Sequence, residues 1–180
     1  MNNFKALVGW LKQAVTDKEQ FHLGYADESS EFVRFNHAKV RQAGQVQQAS
    51  LNLKLINDGR HADLGITLAG EPALDRQRLA DGLQQLRETL PLLPQDPYLL
   101  LNHNAWQNHN EQLRPLPELA QVLADISQAA EGVDLVGFYA AGPISRGFAS
   151  SDGAFGWHQA NSFNLSLIHI SEPTRLRRIS

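Results

Sequence analysis

The sequence predicts an α+β fold, an antiparallel sheet of hairpins and meanders with about three amphipathic helices packed on it. Two observations carry that expectation. The spacing of apolar residues changes from a helical to a strand period and back along the chain. The helical and extended stretches also come in separate blocks, unlike the strict alternation of a doubly wound parallel sheet. A tight-turn dipeptide between two alternating runs adds a third observation.

Phe4, Leu7, Val8, Leu11 and Val15 fall on one stripe, which predicts a helix over residues 2–16. From residue 21 to 68 the period becomes two. Residues 31–35 and 39–43 read as strand arms around a polar reversal at Asn36, His37 and Ala38. Ala49, Leu51, Leu53 and Leu55 alternate with polar residues, as do Ala62, Leu64, Ile66 and Leu68. Between these two runs, Asp58-Gly59 accepts the positive φ angles of a type I′ hairpin. Leu79, Leu83, Leu86 and Leu90 predict a second helix from about Asp75, stopped by Pro91 and Pro94. Leu119, Leu123, Ile126 and Ala130 predict a third, entered through Pro115 and Pro117 and left at Gly132. The amide-rich stretch between them, residues 95–114, reads as turns. Strand character returns in residues 133–140, 144–150 and 154–164, punctuated by Gly142-Pro143 and Asp152-Gly153.

The chain has 180 residues, 42% hydrophobic and 19% charged, which suits one globular domain or a large piece of one. A formal charge of −3 leaves no basic excess to neutralise a phosphate backbone, so nucleic-acid binding is not expected. The absence of Cys excludes disulfides, thiolate zinc sites and Cys nucleophiles within this chain. Lys5 and Lys12 interrupt the first helix, unlike the apolar core of a signal peptide, and no apolar run approaches the roughly twenty residues that cross a bilayer. A soluble protein without a membrane role is expected.

The residues alone disclose no active site. His22, His37, His61, His103, His109, His158 and His169 include no pair one helical turn apart, and His103 with His109 is the nearest approach to a ligand pair. No Gly-x-Ser-x-Gly elbow exists, and Ser150-Ser151-Asp152 before a Gly reads as a turn. The stretch from Gly137 to Gly147 lacks the Lys-Ser/Thr of a phosphate loop. Asp27, Glu28 and Glu31 read as a solvated rim.

Residues 165–180 are set apart. From Leu165 to Arg175 the chain matches, residue for residue, the translation of a transposase-based sequencing adapter; an arbitrary index then accounts for Leu176, Arg177 and Arg178 before Ile179 and Ser180. These residues are excluded from the reading of the fold. The natural sequence is expected to end at Asn164 or Leu165, with a domain over residues 1–164 and an artefactual tail over 165–180. The last strand is then expected to show an unpaired edge or an uncovered apolar face.

Two stretches resemble the amino-terminal region of the TldD/PmbA family, the metallopeptidases and partner subunits once called modulators of DNA gyrase. Phe32-Val-Arg-Phe-Asn-His-Ala-Lys-Val-Arg-Gln42 is similar to that family's opening hairpin, followed by Leu51-Asn-Leu-Lys-Leu-Ile56 and the Asp58-Gly59-Arg60 turn. The stretch from Tyr139 to Gly153, with Trp157-His158 and Ser162-Phe163-Asn164 after it, resembles the Gly-Phe-Ala-Asn-Ser-x-Gly segment, with Ser150 where Asn is more usual. The resemblance implies an amino-terminal α+β piece of a chain about twice as long, in a cytoplasmic family that cleaves unfolded or leader peptides as homo- or heterodimers of homologous subunits. It places the zinc-binding His-Glu-x-x-x-His helix and a later Cys in the carboxyl-terminal part, and no position here matches either. Neither a catalytic nor a metal-binding residue carries over, so no cofactor is expected in this chain. Overall similarity leans to the metal-free branch.

Extended peptides can add to an exposed sheet edge through main-chain hydrogen bonds. Arg146, Phe148, Trp157 and His158 on the late strands are the candidate lining of such a path. The alternative is a peptide-binding or assembly module without chemistry, in which the sheet edge is the whole function.

Overall fold

The computed structural model describes residues 1–169; residues 170–180 of the proposed tail lie outside the described residues. The architecture is α+β, with three α-helices and a six-stranded, mostly antiparallel sheet among the described residues, in the order β3-β2-β1-β5-β6-β4. Helix α1 spans Asn2–Ala14 and buries Phe4, Leu7, Val8 and Leu11, the predicted stripe. It stops short of Val15, which turns to an extended conformation.

Strand β1 (Gln20–Asn36) and strand β2 (Lys39–Asn57) are far longer than their predicted arms. The arms at 39–43 and 49–55 are one continuous strand, because residues 44–48 between them stay extended and expose the side chains of Gln45, Gln47 and Gln48. His37 and Ala38, both at positive φ (50° and 55°), make the two-residue turn between β1 and β2. Strand β3 (Arg60–Thr67) pairs antiparallel with β2 in the register Asn57↔Arg60 through Ser50↔Thr67. Asp58 and Gly59 have φ of 51° and 68°, the left-handed pair that the Asp-Gly sequence predicts.

Helix α2 (Pro72–Thr89) starts on Pro72, earlier than expected, and runs into a 3₁₀ turn, Leu90–Leu92, as Pro91 ends the α-helical bonding. Strand β4 (Gln107–Gln112) lies in the stretch expected to be turns, and it runs parallel to its neighbour β6. Every one of its residues is exposed, so it carries no apolar alternation to read. Helix α3 (Leu119–Ala129) is followed by Gly132 at φ 78°. Strand β5 (Leu135–Ser150) passes without interruption through Gly142-Pro143, where the sequence suggests a break, and β6 spans Phe155–His169. Gly153, at φ 93°, sits in the turn between them.

The chain divides into two compact units, and four of the five boundaries between them fall inside strands. Unit 1 comprises residues 1–28, 47–113 and 143–160; its core joins α1 and α2 to one sheet face through Phe4, Leu11, Phe21, Leu23, Leu53, Leu79 and Trp157. Burial of a side chain of this size contributes about 1.5–3 kcal/mol. The carboxylate of Asp75, fully buried, accepts hydrogen bonds from Asn3 Nδ2 (3.1 Å) and the Ala69 amide (2.7 Å), which fixes the start of α2 against α1. Unit 2 comprises, among the described residues, 29–46, 114–142 and 161–169; there α3 packs Ile126 and Ala130 on Val33, Phe35, Leu135 and Tyr139. In β6, Phe163, Leu165, Leu167 and Ile168 are exposed; of these only Phe163 lies within residues 154–164. No described helix is long and apolar enough to cross a membrane.

Candidate functional site

Successive side chains on a strand point to opposite faces, so Trp157 and His158 cannot line one surface. Trp157 faces the helices of unit 1, its ring centroid 6.1 Å from Phe4 and 5.5 Å from Tyr25, and only 3% of the residue is exposed. Its Nε1–H finds no acceptor among the described residues. Trp157 is therefore a core residue, and sequence alternation alone is enough to separate it from His158.

Phe148 lies on the other face, with ring centroids 5.9 Å from Trp106 in a parallel stack and 5.5 Å from His22. Trp106 is not among the sequence candidates. It precedes β4, accepts a hydrogen bond from the Phe155 amide at its carbonyl (2.8 Å), and lays its indole where a side chain on Gly156 would stand. Burial, with Lys54 nearby, holds the His22 imidazole below its usual pKa, against an opposing pull from Asp152. Arg146 is exposed and donates from Nη1 to the carbonyls of Ser145 (2.9 Å) and Asp27 (3.3 Å). His158 is half-buried and stands in register with Asn110 of β4.

Beside Arg146 the open face sinks into a hollow of about 570 Å³, floored by Gly24, Ala26, Ser50 and Gly65 and edged by Asn52 and Thr67. An added β-carbon at Gly65 would meet nothing within 4 Å, and one at Gly24 only Asn52 at 3.8 Å. Missing side chains in mid-strand leave room for another backbone to come close.

None of the four candidates lies at a sheet edge. Strand β5 has β1 and β6 on its two sides, and over residues 155–160 β6 is covered by β4. The edges in unit 1 are β3 and, beside β6, β4, whose sequence Gln-Asn-His-Asn-Glu-Gln is wholly exposed.

The residues do not fit a catalytic zinc ion, which needs three protein ligands converging on one point. Among the described residues no group of three His, Asp or Glu is so placed. Four histidines instead face one carboxylate each: His37 with Asp134, His61 with Asp96, His103 with Asp152 and His109 with Glu111. His103 and His109, the nearest approach to a ligand pair in the sequence, thus have different partners.

No family model and no curated protein matches the chain. Solved structures that share its fold include the following three. One is a candidate modulator of DNA gyrase from Bacteroides thetaiotaomicron, with a TM-score of 0.61 and 16% identity over 93% of this chain. Another is TldE from Thermococcus kodakarensis, with a TM-score of 0.59 and 13% identity over 94%. A further candidate gyrase modulator, from Thermotoga maritima, gives a TM-score of 0.58 and 10% identity over 97%. The chain spans 40% of the length of each. The resemblance read from the hairpin and the late strands is borne out at the level of the fold.

Proposed function

We propose that this chain is the amino-terminal part of a TldD/PmbA-type protein, a metallopeptidase or its metal-free partner subunit, and that its own task is to hold an extended peptide while cleavage takes place elsewhere in the assembly. The observation that carries this reading is the shared fold over 93–97% of the chain at 40% of the neighbours' length. The two stretches that resemble the family support it, one at the β1–β2 turn and one along β5.

The peptide's place follows from β4. An edge strand offers a row of main-chain donors and acceptors to an incoming strand, and such pairing tolerates many sequences, as a processing enzyme of loose specificity requires. Strand β4 carries no Pro and no Lys, the residues that commonly blunt an edge. The peptide's side chains on one side would lie beside the exposed side chains of β4 itself, among them His109 and Glu111 or Asn108 and Asn110.

Two measurements test this. An unstructured fluorescent peptide should bind this chain saturably, and the same peptide N-methylated at alternate residues should bind at least tenfold more weakly; equal binding removes the edge mode. Casein digestion by the longer gene product with zinc, lost on chelation and absent for this chain, supports the peptidase branch. A longer product without a His-Glu-x-x-x-His helix and without digestion supports the partner subunit.

A further inference from the structure

We propose that the β4 edge selects its occupant by side chain as well as by main chain, and that it takes an extended peptide with carboxamides, Asn or Gln, at alternate positions. This rests on β4 being the peptide's seat and names the class of peptide seated there.

The ladder to β6 decides which main-chain groups of β4 are free. The two strands run parallel in the register Gln107↔Phe155 through Gln112↔Ala160, and the Phe155 amide donates to the Trp106 carbonyl (2.8 Å). In such a ladder alternate residues turn their N–H and C=O groups to opposite edges. Trp106, Asn108, Asn110 and Gln112 therefore direct theirs to β6, while Gln107, His109 and Glu111 direct theirs outward. An occupant bonded to these last three residues is held in one position along the strand.

The side chains divide in the same way between the two faces. His109 stands in register with Trp157, whose ring lies 6.1 Å from that of Phe4 on the helix side, and Asn110 with His158. Residues in register point to the same face, so Asn108, Asn110 and Gln112 share the open one. On the helix side His109 Nε2 and Glu111 Oε1 already meet at 2.8 Å. On the open face the three carboxamides are exposed and have no hydrogen-bonding partner among the described residues. They recur roughly every 6.6 Å, the interval at which a neighbouring strand presents its own side chains on that face.

A carboxamide both donates and accepts. Opposite this row another carboxamide answers both functions, a carboxylate only accepts, an ammonium only donates, and an aliphatic chain does neither. Cross-strand polar pairs favour association by a factor of about 1.5 to 5 each, so three together should favour the matching peptide about five- to fiftyfold.

Fluorescence anisotropy with three labelled peptides of nearly equal shape tests this: Lys-Gln-Val-Gln-Val-Gln-Lys and its counterparts with Met or Glu in place of every Gln. The Gln peptide should bind this chain about five- to fiftyfold more tightly than the Met peptide, and more tightly than the Glu peptide. In the triple variant Asn108→Ala, Asn110→Ala, Gln112→Ala the Gln and Met peptides should bind alike, with the affinity for the Met peptide kept. Should the triple variant lower the thermal midpoint, Asn110→Ala alone is read and should lose part of the preference. Equal binding of the Gln and Met peptides, both weakened by N-methylation, overturns the selectivity and leaves the edge mode standing. A Glu peptide that binds as well as the Gln peptide, or a preference that survives in the variants, overturns it too. Binding of none of the peptides, or binding indifferent to N-methylation, removes the edge mode and the selectivity with it.

Discussion

Arg87 holds Glu19 through two parallel hydrogen bonds, Nε to Oε1 at 2.8 Å and Nη2 to Oε2 at 2.7 Å, while Nη2 also donates to the Ala14 carbonyl at 2.8 Å. The pair ties the last turn of α2 to the end of α1 and the start of β1. Hydrogen bonds from Arg87 hold the Glu19 carboxyl below its usual pKa, although burial opposes them. A depressed carboxyl contributes stability above its unfolded pKa and loses it as pH falls through the folded value. Arg87→Met should cost about 1–2 kcal/mol at pH 7, less than a fully buried pair because the arginine is partly exposed. Urea unfolding at pH 7 and pH 3 checks this: the deficit should shrink at pH 3, where the parent chain has lost the pair too.

Two helical glycines should respond with opposite sign to the same substitution. At Gly9, in exposed mid-α1, an added methyl meets nothing within 4 Å, so Gly9→Ala should gain about 0.5–1 kcal/mol from helix propensity. At Gly82, buried in α2, it would lie 2.8 Å from the Ile66 Cδ1 and 3.3 Å from the Leu64 Cδ2. The overpacking, about 1–3 kcal/mol, should cancel or exceed that gain. Thermal melts of the two variants decide it.

Gly156→Val should lift Trp106 from the open face, since its indole lies 2.9 Å from the added β-carbon. With 5-fluorotryptophan incorporated, the protein's three tryptophans give separate fluorine resonances. That of Trp106 should move most, and that of Trp10, in α1, least.

Zinc at micromolar concentration should neither bind this chain one-to-one nor raise its thermal midpoint, because ligand-linked stabilisation needs a site and, among the described residues, no three His, Asp or Glu converge. A saturable isotherm in titration calorimetry would contradict this.

The parts of the fold that bury one face are legible in the sequence, because Leu51, Leu53 and Leu55, or Leu79, Leu83 and Leu86, show their period wherever water lies on the other side. Strand β4 is not, since a strand of six exposed polar residues is chosen by its pairing with β6 rather than by its own pattern. A related reason hides the unbroken length of β2 and β5, where Gly and Pro in mid-strand imitate turns. Of the candidate site, Phe148, His158 and Arg146 share the open face, whereas Trp106 reaches it from a loop, a placement that no local pattern announces.

The interleaving of the two units within single strands bears on how the chain acquires its shape during synthesis. Strand β1 ends at Asn36 and its neighbour β5 begins at Leu135, so one side of β1 waits for about a hundred residues of translation, roughly 5–20 s at ordinary ribosomal speeds. Neither unit can be released by a single cut, and neither can close before the last strands emerge. A nascent chain of this kind keeps a long apolar ribbon open to passing holdases, so its yield in a cell should depend on how early such a chaperone arrives.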